Sequence, residues 1–255
     1  MWMQASTLTP QKLFEPQVRY VIPVFQRPYV WKIEKQWEPL WADVRAVAEE
    51  LLDAAGGSGS QAVPPHFLGA VVLDQQQSPS GYIAVRHVID GQQRLITLQL
   101  LLNATRQVTE HHGRSRDTAL LATLVRNPEH VVDSDDELLK VWPISADRGA
   151  FQSAMDSDRE NDGGEHLVSQ AIAFLRDRIT AWALDSNGQT TPEQRLQALT
   201  MTLAQHLKLV VIDLEPGDNA QAIFEALNDR GSPLLAADLI KNAVFQAAER
   251  QGAGR

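Results

Sequence analysis

A strand-like run, Tyr82-Ile83-Ala84-Val85-Arg86-His87-Val88-Ile89, meets a helix-like run, Leu95-Ile96-Thr97-Leu98-Gln99-Leu100-Leu101-Leu102, across only five residues, Asp90-Gly91-Gln92-Gln93-Arg94. So short a corner forces a sharp turn, and glycine is the residue that turns sharply and admits close neighbours. The first helical turn beyond it presents unpaired N–H groups and the positive end of the helix dipole, an environment suited to phosphate. Arg94 adds a planar, permanently charged fork able to grip two phosphate oxygens. Asp90 has the chemistry to hold a magnesium ion or orient a water. A structural reading fits the same residues: Asp90 at N-cap and Gln93 three positions on have the spacing of a capping box. Five residues alone accommodate both.

The rest of the chain gives the corner its setting. Val18–Val24 reads as a strand closed by Pro23. Trp37, Leu40, Trp41, Val44, Val47, Ala48, Leu51 and Leu52 recur at helical spacing and predict an amphipathic helix over Glu34–Asp53. Ala54–Ser60 is glycine-rich but lacks a following Gly-Lys-Ser/Thr, so it reads as a linker. Phe67–Leu73 has strand length and, through a turn at Gln75–Gly81, predicts a hairpin with Tyr82–Ile89. Leu138–Ile144 and Leu209–Leu214 are further strand candidates. Helical spacing dominates from Gly164 onward and again at about 219–227 and 236–249. The expected fold is α+β: a small mixed sheet surrounded by many helices, in one domain over 1–255 with helical insertions at about 116–207.

Composition narrows the function. The chain has 255 residues, no cysteine and a formal charge of -9. Without cysteine there is no disulfide, thiolate nucleophile or cysteine-ligated zinc. The seven histidines are scattered, and no His-Glu-x-x-His spacing occurs. The acidic balance argues against indiscriminate coating of nucleic acid while permitting a local basic groove. No run approaches the ~18 apolar residues of a membrane span. The N-terminus lacks a secretory pattern, so the cytoplasm is the expected compartment.

Two other segments accompany the corner: Ile22-Pro23-Val24-Phe25-Gln26-Arg27-Pro28-Tyr29-Val30-Trp31, and Phe224-Glu225-Ala226-Leu227-Asn228-Asp229-Arg230-Gly231-Ser232-Pro233-Leu234 leading to Asp238-Leu239-Ile240-Lys241. In this order the three resemble the N-terminal domain of GmrSD-type modification-dependent restriction enzymes, from about Val18 to about Phe245. That resemblance implies a ParB/sulfiredoxin-like nucleotidase domain of the kind found in SspE, which senses phosphorothioate-modified DNA. It implies GTP or ATP as substrate, Mg2+ as cofactor held by Asp90, and catalysis by Asp90, Gln93 and Arg94. Nucleotide contacts would come from Gly91, Gln92, Thr97, Asn228, Arg230 and Lys241. Modified double-stranded DNA would meet Pro23, Phe25, Gln26, Arg27, Pro28, Tyr29 and Trp31. A nuclease domain is expected C-terminal to Gly252-Ala253-Gly254-Arg255, with no membrane involved.

Each assignment has a plainer counterpart. Phe25 and Trp31 have the chemistry of anchors pinning their loop to the core, whereas Gln26 and Arg27 need no burial for packing. Asn228–Gly231 has the form of a helix end with a turn glycine, and Asp238 and Lys241 are spaced to pair on a helix surface. Three functions follow. The first is a nucleotide-hydrolysing regulator of a restriction system sensing phosphorothioated DNA. The second is a non-catalytic ParB-like switch, or a sensor of base-modified DNA such as glucosylated cytosine. The third is a chain that itself cuts DNA.

Overall fold

In the computed structural model, residues 4–56, 63–76, 81–156, 164–185 and 190–214 are described. They form six strands: β1 (Gln4–Leu8), β2 (Val18–Val21), β3 (His66–Gln75), β4 (Ala84–Asp90), β5 (Val141–Trp142) and β6 (Leu207–Leu214). Seven helices accompany them: α1 (Pro10–Phe14), α2 (Glu38–Gly56), α3 (Gln92–His111), α4 (Ser115–Val125), α5 (Ser145–Met155), α6 (Leu167–Leu184) and α7 (Pro192–Met201). The strands make one mixed sheet in the order β1-β6-β3-β4-β2-β5. The α+β expectation therefore describes the molecule. None of the described helices is long and apolar enough to cross a membrane.

The expected hairpin is present: β3 and β4 run antiparallel, with Leu73 opposite Val88 and Asp74 opposite His87. Other boundaries differ from the sequence expectation for local reasons. The helix expected from Glu34 begins with a π-helical turn, Ile33–Trp37, before regular α-helix resumes at Glu38. Leu138–Ile144 keeps only a two-residue strand, because Asp135–Leu138 closes into a 3-10 turn and Pro143 has no N–H to extend the ladder. β1 and α1 had no strong periodic signal, being five residues each. The region 116–207 is not purely a helical insertion, since β5 pairs in parallel with β2. The helices expected at 219–227 and 236–249 lie outside the described residues.

Helix α3 is the axis against which α4 and α6, and less extensively α5 and α7, pack. Of its 20 residues, 16 are buried, including Gln99, Asn103, Thr97, Thr105 and Thr109. Polar groups cost least there when bonded. Gln99 Nε2 donates to the Leu124 carbonyl (3.0 Å) and Asn103 Nδ2 to the Ala154 carbonyl (2.8 Å). Those carbonyls sit in the last turns of α4 and α5, where a helix leaves acceptors unpaired. The buried threonines turn back onto α3, with Thr105 donating to the Leu101 carbonyl and Thr109 to the Arg106 carbonyl. The same helix buries leucines on several faces, joining the sheet and α4–α6 in one apolar cluster.

At the far edge, Lys140 fastens β5. It is 1% exposed, and its Nζ donates to Asn127 Oδ1 (2.7 Å) and the Pro16 carbonyl (2.9 Å). Asn127 Nδ2 in turn donates to the Val18 and Glu137 carbonyls. Burial among neutral acceptors lowers the Lys140 pKa from 10.5 to about 8. Between those values the unfolded chain holds a proton that the folded protein has released, so raising the pH through this window stabilises the fold. Relative to Lys140→Met, the wild-type unfolding free energy should gain on the order of 1–3 kcal/mol between pH 8 and 10.5. Urea titrations of both proteins across that range will show whether it does.

Candidate functional site

The corner forms because Gly91 adopts a conformation that other residues rarely adopt. Its φ is +91°, in the left-handed region, and it is the residue immediately before α3. A Cβ there would stand 2.6 Å from Val71 Cγ1 and 3.1 Å from the Ala70 carbonyl oxygen. Close approach at this glycine is thus made by strand β3 itself. Asp90 is the last residue of β4, not the N-cap, and Gly91 caps without a side-chain bond. The capping-box reading is corrected accordingly, because the left-handed turn moves the helix start one residue on. Asp90 remains exposed.

Gln92 and Gln93 face the Ile22–Trp31 segment. Gln93 accepts the Val30 N–H at Oε1 (2.8 Å) and donates from Nε2 to the Pro28 carbonyl (3.0 Å). Gln92 Nε2 donates to the Arg27 carbonyl (3.2 Å), leaving its Oε1 buried without a hydrogen-bond partner. Gln26 reaches the other way, donating from Nε2 to the Ile89 carbonyl (2.9 Å) just before the corner. Two segments more than sixty residues apart are thereby sewn into one unit.

Tyr29 completes the seam. Thr97 donates its hydroxyl proton to the Gln93 carbonyl (2.8 Å), so the 2.6 Å contact between Tyr29 and Thr97 has Tyr29 as donor. Trp37 Nε1, which can only donate, bonds the same tyrosine oxygen at 2.8 Å. The two rings lie nearly parallel, 6.5 Å apart. Burial raises the Tyr29 pKa, opposed by its hydrogen bonds with Thr97 and Trp37, and keeps the phenol protonated. Below it, the Tyr29 N–H donates to Asp147 Oδ2 (2.9 Å), while His166 Nε2 lies 3.3 Å from Asp147 Oδ1. Burial raises the Asp147 carboxyl above its ordinary range, with the Tyr29 N–H and His166 acting against it.

These contacts divide the loop into anchors and exposed groups. Gln26 and Tyr29 are 6% and 3% exposed, so Gln26, expected to need no burial, is buried because it serves the corner. Phe25 stands 57% exposed, beside Val24 at 80%. Arg27 and Pro28 are also exposed, whereas Pro23 and Trp31 are half-buried.

Arg94 leaves α3 on another side. Its Nη1 donates to the Ala70 carbonyl, and its guanidinium fills the space where a side chain at Gly69 would lie, 2.9 Å from the position of a Cβ. Gly69 has φ +99°, and the β3–β6 register shifts between Phe67 and Ala70. A glycine inside the Phe67–Leu73 run was the available signal for this bulge. Burial lowers the Arg94 pKa and the nearby Asp90 opposes that shift; an arginine still keeps its charge.

The guanidinium lines a cleft of about 230 Å³ with Trp31, Lys35, Gln36, Asp43 and His66 among its other walls. A larger cleft of about 780 Å³ adjoins it, sharing Lys35 and Gln36 on the π-helical turn. Periodicity had identified the helix after that turn, but carried no sign of Lys35, Asp43 or His66 meeting Arg94. Among the described residues there is no group of three or more His, Asp or Glu able to hold a metal. Asp90 alone fits magnesium only in the manner in which one carboxylate and substrate phosphates share the ion. Asn228, Arg230 and Lys241 lie outside the described residues.

Gln93→Ala removes both bonds that fix the Pro28–Val30 backbone. Stability should fall by about 1–3 kcal/mol, with faster hydrogen exchange at the Val30 amide, measurable by NMR, than at amides in the centre of α3.

No curated protein matches the chain. The family described as GmrSD restriction endonuclease, N-terminal domain, matches residues 10–245, a span containing the loop, the corner and the cleft. A single structural unit joining all three is thus covered by one match, and the chain belongs to the GmrSD restriction endonuclease N-terminal domain family.

Proposed function

We propose that this domain binds and hydrolyses GTP or ATP, and couples that reaction to recognition of modified DNA, phosphorothioated DNA first among the candidates. The observation that carries the reading is the Arg94 cleft. It combines the half-buried Arg94 guanidinium with Lys35 and borders the loop through Trp31. A charge held in such a low-dielectric wall stabilises phosphoryl charge more strongly than one in water. In this reading the phosphates enter beside Arg94 and Lys35, and Asp90 at the corner would hold magnesium. Magnesium supplies neutralisation of phosphate charge when bound. Gln92 and Gln93 act through the loop backbone they position and Thr97 through the Tyr29 hydroxyl it holds, whereas Asn228, Arg230 and Lys241 are further candidates for nucleotide contact.

The exposed part of the loop suits DNA. Phe25 offers an aromatic face and Arg27 a phosphate-binding fork, both supported by buried Gln26 and Tyr29. Sulfur in place of a phosphate oxygen is larger and less strongly hydrated, so an apolar surface at Phe25, Pro23 and Pro28 would prefer it modestly, by about 1–3 kcal/mol. A nuclease domain elsewhere in the full protein would carry out cleavage. A second reading, a switch that binds nucleotide or DNA without hydrolysis, is favoured by one observation: Arg94 is engaged by the Ala70 carbonyl and would exchange that partner for phosphate on binding.

Phosphate release from GTP and ATP, with and without phosphorothioate duplex, separates the readings. Arg94→Ala should lower the rate by about 10²–10³-fold while circular dichroism shows a retained fold; full activity would remove Arg94 from the mechanism. For DNA, Phe25→Ala and Arg27→Ala should weaken binding without unfolding. Phe25→Ala should narrow the preference for phosphorothioate over ordinary duplex at fixed salt, and Arg27→Ala should weaken both and flatten the salt dependence. Equal wild-type affinity for the two duplexes would direct attention to base-modified DNA.

A further inference from the structure

The Arg94 cleft contains an acid–base pair with no part in the contacts described above. His66 begins β3, and its Nε2 lies 3.4 Å from Asp43 Oδ2 on α2. Both side chains are partly exposed, at 32% and 54%, and both line the 230 Å³ cleft that Arg94 and Lys35 enter. A paired surface histidine is commonplace, but this pair shares a cleft with two cationic side chains, Arg94 and Lys35. That space is below the roughly 300–1,000 Å³ of sites that hold a whole drug-sized ligand. It suits the phosphate end of a nucleotide, leaving the nucleoside to extend outward past Trp31 or Phe67, which is 49% exposed.

We propose that His66 is the general base for nucleotide hydrolysis, with Asp43 as its positioning residue. This rests on the hydrolytic reading given above. Asp43 favours the tautomer with hydrogen on Nε2, which leaves Nδ1 as the proton acceptor. A water oxygen forms a bond to the terminal phosphorus while the bond from that phosphorus to the bridging oxygen breaks. The bond's electron pair stays on the departing diphosphate. The water proton passes to Nδ1, and Asp43 stabilises the imidazolium until the proton returns to solvent. Lys35 from the π-helical turn and Arg94 from α3 face the same cleft and hold phosphate charge, while Lys208 of β6 stands in register with Phe67.

The test compares wild type, His66→Gln, His66→Ala and Asp43→Asn, using phosphate release across pH 5–9 and binding of fluorescently labelled GTP and ATP. Melting curves establish that each variant is folded. His66→Gln should lose about 10²–10⁴-fold in kcat, bind labelled nucleotide within about threefold of wild type, and lose the fall in rate at acidic pH. Asp43→Asn should retain part of the rate, and added imidazole should restore turnover to His66→Ala. If wild type hydrolyses nucleotide and His66→Gln keeps its rate and pH profile, the base assignment is overturned while the hydrolytic reading stands. An equal loss of binding and rate in His66→Gln would make His66 a binding residue and also overturn it. If wild type releases no phosphate under any of these conditions, with or without phosphorothioate duplex, both readings fall together.

Discussion

Enclosure of α3 constrains everything else in the structure. A helix buried on 16 of its 20 residues carries polar side chains at least cost where they find partners. Gln99 and Asn103 find theirs at the ends of α4 and α5, so the groups that would penalise burial instead fix where neighbouring helices stop. The sheet is tied to the same axis through Gly91, where β4 turns directly into the helix with β3 packed against its α-carbon. A displacement of α3 would therefore disturb the helical layer and the strand hairpin together.

That rigidity decides how the functional segments relate. The corner and the Ile22–Trp31 loop share hydrogen bonds at Gln92, Gln93, Gln26, Tyr29 and Thr97. Most of these bonds are at least partly buried, where an unpaired group is costly. Motion at the loop and motion at the start of α3 are consequently not independent. The exposed loop tip and the Arg94 cleft are both attached to the same bonded seam, with Phe25 on one side and Arg94 on the other, which is the physical basis on which the proposed DNA and nucleotide sites would be coupled. Trp31 then carries the loop into the Arg94 cleft.

Charge is organised locally rather than globally. The net charge of -9 is unfavourable for general attraction to nucleic acid. Arg94 and Lys35 nevertheless converge on one cleft, and the half-buried Arg94 is held by a backbone carbonyl and the field of Asp90. Selective affinity can be built in this way on an acidic molecule, because short-range contacts in a confined site outweigh distant, screened charges.

The linear chain was sufficient for the features written in local pattern. Strand-length runs and turn residues specified the β3–β4 hairpin, helical spacing specified α2 and α3, and the glycine between a strand and a helix specified the corner. Three ordered segments also placed the chain in its family. Local pattern could not specify which polar residues were buried. Gln26 and Gln93 look like surface residues or ligand contacts in sequence; they are internal fasteners because the folded chain brings Ile89, Pro28 and Val30 to their amide groups. Nor could it bring His66, Asp43, Lys35 and Arg94 to one cleft, since they belong to four different elements. Periodicity records which face of an element is apolar, and the sequence determined that much here. Which polar groups meet across elements depends on long-range register, bulges and burial, and these were decided only by the tertiary structure.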